Sequence, residues 1–317
     1  MSFLNLLKNE IMKLFSGYSA LIIFFIMLAS VIGATFIAKE AVPEYTENWK
    51  TILTQDIKDY TESIENVIEN PSDETKLLYE KDIKRLQFHL DNDISPYNQN
   101  GFTFAKSTIP EFSFLLTIFS IIITVGAVTN EYKWGTIKMI LIRPHQRWSI
   151  LLSKYVTAIC FSLLMYIVFY FLCWIIGSLV FGYDSLNYAA YIVNDDLEII
   201  KESLLISSLY YYLLNFLQTV VFVSLVFMIA TLTKNASVSV AAGIVLVFTG
   251  NLINSFIPSE STWAKFFIFS NDMTYYLESS QGKIEGLTLP FSLSVNLIYL
   301  FIFMLISLTV FQKRDIN

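Results

Sequence analysis

Long apolar segments without any charged side chain alternate with polar segments along this chain of 317 residues. Six such segments cover residues 18–38, 112–130, 155–183, 203–233, 235–258 and 287–312. An α-helix rises about 1.5 Å per residue, so about 20 residues cross the hydrocarbon core of a bilayer. Because lipid offers no hydrogen-bond partner to an open backbone, the pattern predicts six membrane-spanning helices.

The first 16 residues carry a helical amphipathic pattern. Its apolar positions recur every three or four residues, at Leu4, Leu7, Ile11, Leu14 and Phe15. Lys8 and Lys13 fall on other faces, so the pattern predicts a helix that lies in the inner membrane interface. A leader that only sets the topology is the alternative.

Residues 39–111, between the first two spans, predict a small domain built as a helical hairpin. Apolar positions keep helical spacing on both sides of Asn70-Pro71, which breaks the first helix and provides a cap and first position for the second. The charges of this domain are typical of a solvated face. A role in gating the outer mouth of a transport pathway is the functional alternative.

Two further polar segments separate the later spans. Residues 184–202 are rich in acidic side chains and predict an outer loop. Residues 259–286 are rich in aromatic side chains, which favour the membrane interface. This aromatic segment predicts either a short re-entrant helix or a surface loop with aromatic anchors.

Composition and charge agree with a membrane protein and orient it. The chain is 55% hydrophobic with a mean hydropathy of +0.55, and core helices of soluble proteins seldom run so far without a charge. With both termini in the cytoplasm, the inner segments hold 10 basic and three acidic residues. The outer segments then hold 11 basic and 24 acidic residues, as the positive-inside rule requires. A retained first span, not a cleaved signal peptide, fits the long apolar run.

The sequence lacks the residues that several kinds of transport and catalysis require. The six spans contain no ionisable side chain, which disfavours ion-coupled transport. No nucleophile–base pair, Cys/His metal spacing or GxxxxGK[ST] loop occurs, so we predict no enzyme activity, no metal site and no cofactor in this chain. Cys160 and Cys173 lie 13 residues apart in one span, too far to pair.

The inner loop of residues 131–154 is the most informative segment. Gly135-Thr136 predicts the start of a short amphipathic helix with Thr136 as its cap, and Pro144 ends it. Arg143 and Arg147 flank the following turn. A short helix held between two spans suits a push from a cytoplasmic partner.

This loop resembles the transmembrane subunits of type-2 ABC exporters. The similarity rests on residues in the order Asn130-Glu131, Gly135-Thr136, Leu141, Pro144, Arg147 and Lys154. The six-span plan, the amphipathic first helix and the aromatic segment before the last span are similar as well. The long outer domain is similar to permeases of peptide-antibiotic export or immunity.

The resemblance implies a half-transporter. Two permease subunits, identical or different, would pair within the lipids of a bacterial plasma membrane. Two cytoplasmic ABC ATPase subunits, which bind ATP and Mg²⁺, would dock beneath them. No nucleic acid would take part. It places Glu131, Gly135, Thr136, Arg143 and Arg147 at the ATPase contact. We further predict that neutral polar residues of the second and fourth spans line the pathway, namely Thr117, Thr124, Asn215 and Gln218.

The sequence leaves alternatives open for the transported molecule and for the functional class of the protein. An amphipathic peptide, antibiotic or lipid-like cargo fits best, since spans without carboxylates suit a bare cation poorly. A membrane sensor or scaffold, whose outer hairpin binds a ligand without any ATPase, is the alternative function. A membrane enzyme lacks a catalytic set.

Overall fold

A computed structural model describes residues 3–66, 73–96, 99–136, 146–182, 189–193, 196–258, 261–277, 284 and 286–313. Within these ranges the α-helices are α1 (Phe3–Ser16), α2 (Ser19–Glu47), α3 (Trp49–Asn66), α4 (Asp73–Asp91), α5 (Gly101–Lys133), α6 (Arg147–Phe181), α7 (Leu204–Thr233), α8 (Ala236–Ser255) and α9 (Leu289–Lys313). The strands β1 (Ala189–Val193) and β2 (Ile199–Ser203) pair antiparallel. Three short 3₁₀ helices connect α8 to α9 at Thr262–Phe266, Ile268–Asn271 and Met273–Leu277.

Five helices are long and apolar enough to cross a bilayer: α2, α5, α6, α7 and α9. This confirms the prediction of a helical, multi-pass membrane protein. The predicted fifth span is also a helix, but the apolar part of α8 with described side chains, Ala236–Gly250, is shorter than a full crossing. Six crossings therefore stay a prediction. In an apolar 18-residue stretch of each helix, 56% of α5 and 67% of α7 is buried, against 22% of α2 and of α9. Of these helices, α5 and α7 are therefore the central ones.

The helix α5 begins at Gly101, well before the predicted start of the second span at residue 112. Asn100 explains this start, because its Oδ1 accepts hydrogen bonds from the backbone N–H groups of Phe102 and Thr103 at 2.9 and 3.0 Å. The Asn100 N–H in turn donates to the Thr103 hydroxyl at 2.6 Å. The charges of Lys106 and Glu111 end the apolar run but not the helix.

The helices α3 and α4 lie antiparallel in the range predicted as a helical hairpin. Lys50 near the start of α3 pairs with Asp93 just after α4, with 2.6 Å between Nζ and Oδ1. The rings of Tyr60 and Tyr79 meet farther along the pair, with centroids 5.7 Å apart. The predicted Asn70-Pro71 break lies outside the described residues.

The strands β1 and β2 form a ribbon where the sequence predicts only a loop, so the fold is not purely α-helical. The ribbon packs on α4, since the ring of Tyr191 on β1 lies 4.8 Å from Phe88 and 5.8 Å from His89, centroid to centroid. Aromatic and β-branched residues on each side of a polar turn are the signal that identifies such a ribbon in the sequence. Leu197 in the connection has a φ of +60°.

The chain divides into two compact units. The first comprises Met1–Met27, Ile109–Tyr170 and Tyr210–Asn317. The second comprises Leu28–Thr108 and Phe171–Leu209. The first unit has a core of fully buried apolar side chains from α5, α6 and α7, which include Ile121, Leu151 and Val226. The second unit holds the helical hairpin and the ribbon.

We predict that acid loosens the contact between the ribbon and α4. His89 is 8% exposed and its Nδ1 lies 2.9 Å from the Ile94 carbonyl oxygen. Burial lowers the pKa of His89 and the nearby charge of Arg85 lowers it further, against the opposing contact with Ile94. The stabilisation from a neutral His89 is thus full above pH 6.5 and is lost as the pH falls through the lowered pKa. Hydrogen-exchange protection of Ala189–Val193 should fall there about threefold after correction for intrinsic exchange rates.

The control for this prediction is His89→Phe, which keeps an aromatic ring against Tyr191 but cannot take up a proton. Protection of the ribbon in this variant should not change across the same pH range. An equal loss of protection in both proteins would contradict the role of His89.

Candidate functional site

Four charged side chains meet at neighbouring ends of α1, α5 and α6. Lys13 of α1 lies 2.7 Å from Glu10 of the same helix and 2.8 Å from Glu131 of α5, Nζ to Oε1. Lys154 of α6 lies 2.7 Å from Glu131 Oε1 and 3.1 Å from Glu10 Oε2. Each carboxylate therefore contacts both lysines, and the charges of the cluster sum to zero.

Most of this ion cluster is buried. The side chains of Lys154 and Glu131 are 3% and 7% exposed, whereas that of Lys13 is 53% exposed. The Lys154 ammonium also donates to the carbonyl oxygen of Ala127 in α5 at 2.9 Å. Burial disfavours the charged form of Lys13, but its hydrogen bonds and charge interactions with Glu10 and Glu131 outweigh burial and raise its pKa.

The cluster joins the amphipathic helix α1 to the two helices that flank the inner loop. Phe15 of α1 adds an aromatic contact with Phe161 of α6, with ring centroids 5.8 Å apart. α1 buries none of its residues fully and exposes Leu4, Met12 and Phe15 by more than half. Such an apolar face, beside lysines, suits contact with the membrane interface.

The structure shows how the inner loop leaves α5. Gly135 has a φ of +67°, and its N–H donates to the Tyr132 carbonyl oxygen at 3.2 Å. This is the left-handed helix ending that glycine adopts at little cost, so Gly135 ends α5. Trp134 is 68% exposed, Gly135 is exposed, and the Thr136 hydroxyl lies 3.5 Å from the Glu131 carbonyl oxygen.

The loop returns to the membrane at α6. Exposed Arg147 is its first residue, and its Nη1 donates to the Gln312 carbonyl oxygen near the end of α9 at 3.2 Å. A cation at a helix C-terminus is favourable. Trp148 follows and is 42% exposed. The predicted loop helix and Arg143 lie outside the described residues.

The four residues predicted to line a pathway are all buried: Thr117, Thr124, Asn215 and Gln218. Thr124 and Asn215 donate to carbonyl oxygens of their own helices. Gln218 Oε1 accepts a hydrogen bond from the Met273 N–H at 3.1 Å. Gln218 thus helps to hold the connection between α8 and α9 against α7, and the role of all four residues as pathway lining stays a prediction.

Thr117 belongs to a polar contact among three helices that sequence reasoning did not find. Its hydroxyl lies 2.8 Å from that of Thr219 on α7, which lies 2.7 Å from the hydroxyl of Tyr166 on α6. Such hydroxyl contacts are typical of helix packing inside a membrane. Tyr166 lies in an aromatic, apolar part of the sequence. That pattern predicts neither the burial of its side chain nor its hydrogen-bond partner.

Four of the five residues predicted at an ATPase contact lie in the described part of the chain, and their burial differs. Gly135, Thr136 and Arg147 are at least partly exposed on the described part of the loop, whereas the side chain of Glu131 is buried against Lys13 and Lys154. Glu10, Lys13 and Lys154 were not predicted as site residues. The sequence signal for the cluster is Lys154, a lysine in the first turns of an apolar helix. Its charge needs a partner where lipid excludes water.

The described residues contain no group of three or more His, Cys, Asp or Glu side chains arranged to hold a metal ion. Cys160 on α6 is exposed and Cys173 is buried on the same helix.

Comparison with known proteins adds the family. Residues 67–317 match a family model described as "Protein of unknown function (DUF2705)". The chain is 30% identical to "Uncharacterized protein YhcI" of Bacillus subtilis (strain 168) over 318 residues, which cover 99% of each protein. It is 27% identical to "Uncharacterized membrane protein YdbK" of the same organism over 226 residues, which cover 71% of this chain and 87% of the relative. The chain therefore belongs to the DUF2705 family.

Proposed function

We propose that the chain is the membrane permease subunit of an ATP-driven ABC exporter that moves an amphipathic peptide, antibiotic or lipid-like molecule. Two permeases pair in a bacterial plasma membrane, each with six crossings and both termini in the cytoplasm, and two separate ATPases dock beneath them. The support is the resemblance of the inner loop to type-2 ABC exporter permeases, together with the structure around that loop.

The observation that carries the proposal is the ion cluster of Glu10, Lys13, Glu131 and Lys154. It fastens α1 to the end of α5 and the start of α6, the helices that enter and leave the loop. Buried ion pairs add little net stability but hold groups in one arrangement, and breaking one is costly. A push on the loop thus moves three helix ends together, as a coupling device requires.

Exposed side chains on the described part of the loop offer the contact. Trp134, Arg147 and Trp148 combine aromatic surface with a positive charge, the residue types that dominate binding energy at protein interfaces. The spans carry no ionisable residue along their apolar lengths, so the driving force would come from the ATPase.

The test is co-purification of the tagged chain, expressed in its native host, with a cytoplasmic ABC ATPase. We expect a stable complex, and we expect Arg147→Glu to weaken the association about fivefold, the size of one interfacial charge contact. The matched control is Arg85→Glu on the outer hairpin, where Arg85 is likewise exposed and pairs with Asp82.

Two outcomes would contradict the proposal. One is that the chain carries out its function with no ATPase bound. The other is that Arg147→Glu and Arg85→Glu bind the ATPase as well as the unmodified chain does.

A further inference from the structure

A group of buried polar side chains lies in the connection between α8 and α9. Asn271 ends the second 3₁₀ helix and is fully buried, and Asp272 follows it at 8% exposure. Asn296 on α9 is 4% exposed, and its Nδ2 donates to the Asn271 carbonyl oxygen at 2.8 Å. This hydrogen bond brings α9 against the backbone of Asn271 in the connection.

Two amide oxygens of this group lack donors. Asn271 uses its Nδ2 to donate to the carbonyl oxygens of Lys265 and Phe267 at 2.9 and 2.8 Å, which fixes the orientation of its amide. Asn271 Oδ1 and Asn296 Oδ1 are both buried and accept no hydrogen bond from any described residue. A buried acceptor without a donor costs about 1–3 kcal/mol, so each of these oxygens needs a donor or a cation.

The neighbouring carboxylate has the same need. Asp272 Oδ1 accepts hydrogen bonds from the N–H and the hydroxyl of Thr274 at 2.8 and 2.7 Å. Among the described residues no lysine or arginine forms a salt bridge with Asp272. A buried carboxylate without a counter-charge is unfavourable when ionised.

We propose that Asn271, Asp272 and Asn296 bind a monovalent inorganic cation of the size of Na⁺ or K⁺. Asn271 Oδ1, Asn296 Oδ1 and the Asp272 carboxylate are the ligands. Hard cations prefer oxygen ligands, and this set contains amide and carboxylate oxygens only. One carboxylate and two neutral amides match a single positive charge and would leave a divalent ion half neutralised.

The bound ion would fix the connection onto its neighbouring helices. Besides the Asn296 contact with α9, Met273 donates to Gln218 on α7 and the Tyr276 hydroxyl lies 2.7 Å from that of Ser292 on α9. A cation shared by Asn271, Asp272 and Asn296 would draw these contacts together. The inference does not depend on an ATPase and so stands apart from the proposed export function.

The test is thermal unfolding of the purified chain in detergent. It compares chlorides of Li⁺, Na⁺, K⁺ and N-methyl-D-glucamine at matched ionic strength. The organic cation is too large for a three-ligand site, so its chloride serves as the reference. We expect Na⁺ or K⁺ to raise Tm by about 5 °C over this reference and by more than Li⁺ does, because a ligand that binds only the folded state stabilises it. Asp272→Asn and Asn296→Leu should each remove most of that shift, while Asp82→Asn on the outer hairpin should retain it.

Equal Tm values in all four chlorides would overturn the site and indicate that water molecules satisfy the two amide oxygens. A cation-dependent shift that persists in both Asp272→Asn and Asn296→Leu would overturn this location. Because the salt comparison uses the unmodified chain, the inference can fail even if a variant does not fold.

Discussion

Lys154→Met is expected to lower the free energy of unfolding by about 3 kcal/mol, the lower end of the cost of breaking a buried ion pair. The side chain of Lys154 is only 3% exposed, and its ammonium contacts Glu10, Glu131 and the Ala127 carbonyl oxygen. The substitution keeps the length and apolar stem of the side chain and removes only the charge. The cluster is then left with two largely buried carboxylates, which share the half-exposed ammonium of Lys13.

The matched control is Lys50→Met, the same chemical change at an exposed ion pair. The side chains of Lys50 and Asp93 are 59% and 73% exposed, so this pair contributes about 0–1 kcal/mol. Unfolding in detergent can be followed by the reaction of a thiol dye with Cys173, which is buried on α6, in a Cys160→Ser background. Similar losses for Lys154→Met and Lys50→Met would contradict a buried cluster.

A double variant separates charge imbalance from lost packing. Glu131→Gln combined with Lys154→Met removes one charge of each sign from the cluster and leaves Glu10 with Lys13. We expect it to recover about half of the stability lost in Lys154→Met, because the unpaired buried carboxylate causes most of the loss. A double variant less stable than either single variant would assign the loss to packing instead.

The sequence predicts the long helices well, because a bilayer forces any long apolar segment to satisfy its backbone internally. It predicts their ends less well. A rule based on charge-free runs starts the second span at residue 112, whereas Asn100 and Thr103 cap a helix that continues past Lys106 and Glu111. The residues that make these capping contacts, within positions 100–103, can be recognised in the sequence, but only once a helix is expected to begin there.

The ion cluster shows why the candidate site was only partly predicted. The resemblance singles out Glu131 and Lys154 as members of one pattern, and the structure brings them to 2.7 Å. Their contacts with Glu10 and Lys13 join residues more than 100 positions apart, and no local periodicity encodes such a pairing. Whether Glu131 lies at a partner contact or is buried against α1 likewise depends on which face of α5 points toward α1, and the sequence does not encode this.

Gly243→Leu should show that close helix packing in the first unit depends on a missing side chain. A Cβ atom at Gly243 of α8 would lie 2.7 Å from Val226 Cγ2 on α7 and 3.1 Å from Ile121 Cγ2 on α5. Val226 and Ile121 are fully buried in the core of this unit and have little room to move. Leucine forms helices better than glycine by about 0.8 kcal/mol, but overpacking costs up to about 3 kcal/mol. We therefore expect a net loss of about 2 kcal/mol in the free energy of unfolding.

Gly33→Leu is the control, since Gly33 is also a helical glycine in an apolar helix but a Cβ atom there meets no heavy atom within 4 Å. Without overpacking, only the gain in helix preference remains, so this variant should be as stable as the unmodified chain or slightly more stable. The same thiol-dye assay in detergent measures both variants. If Gly243→Leu unfolds at the temperature of Gly33→Leu, then α8 does not pack closely on α5 and α7, and its place beside the two central helices is wrong.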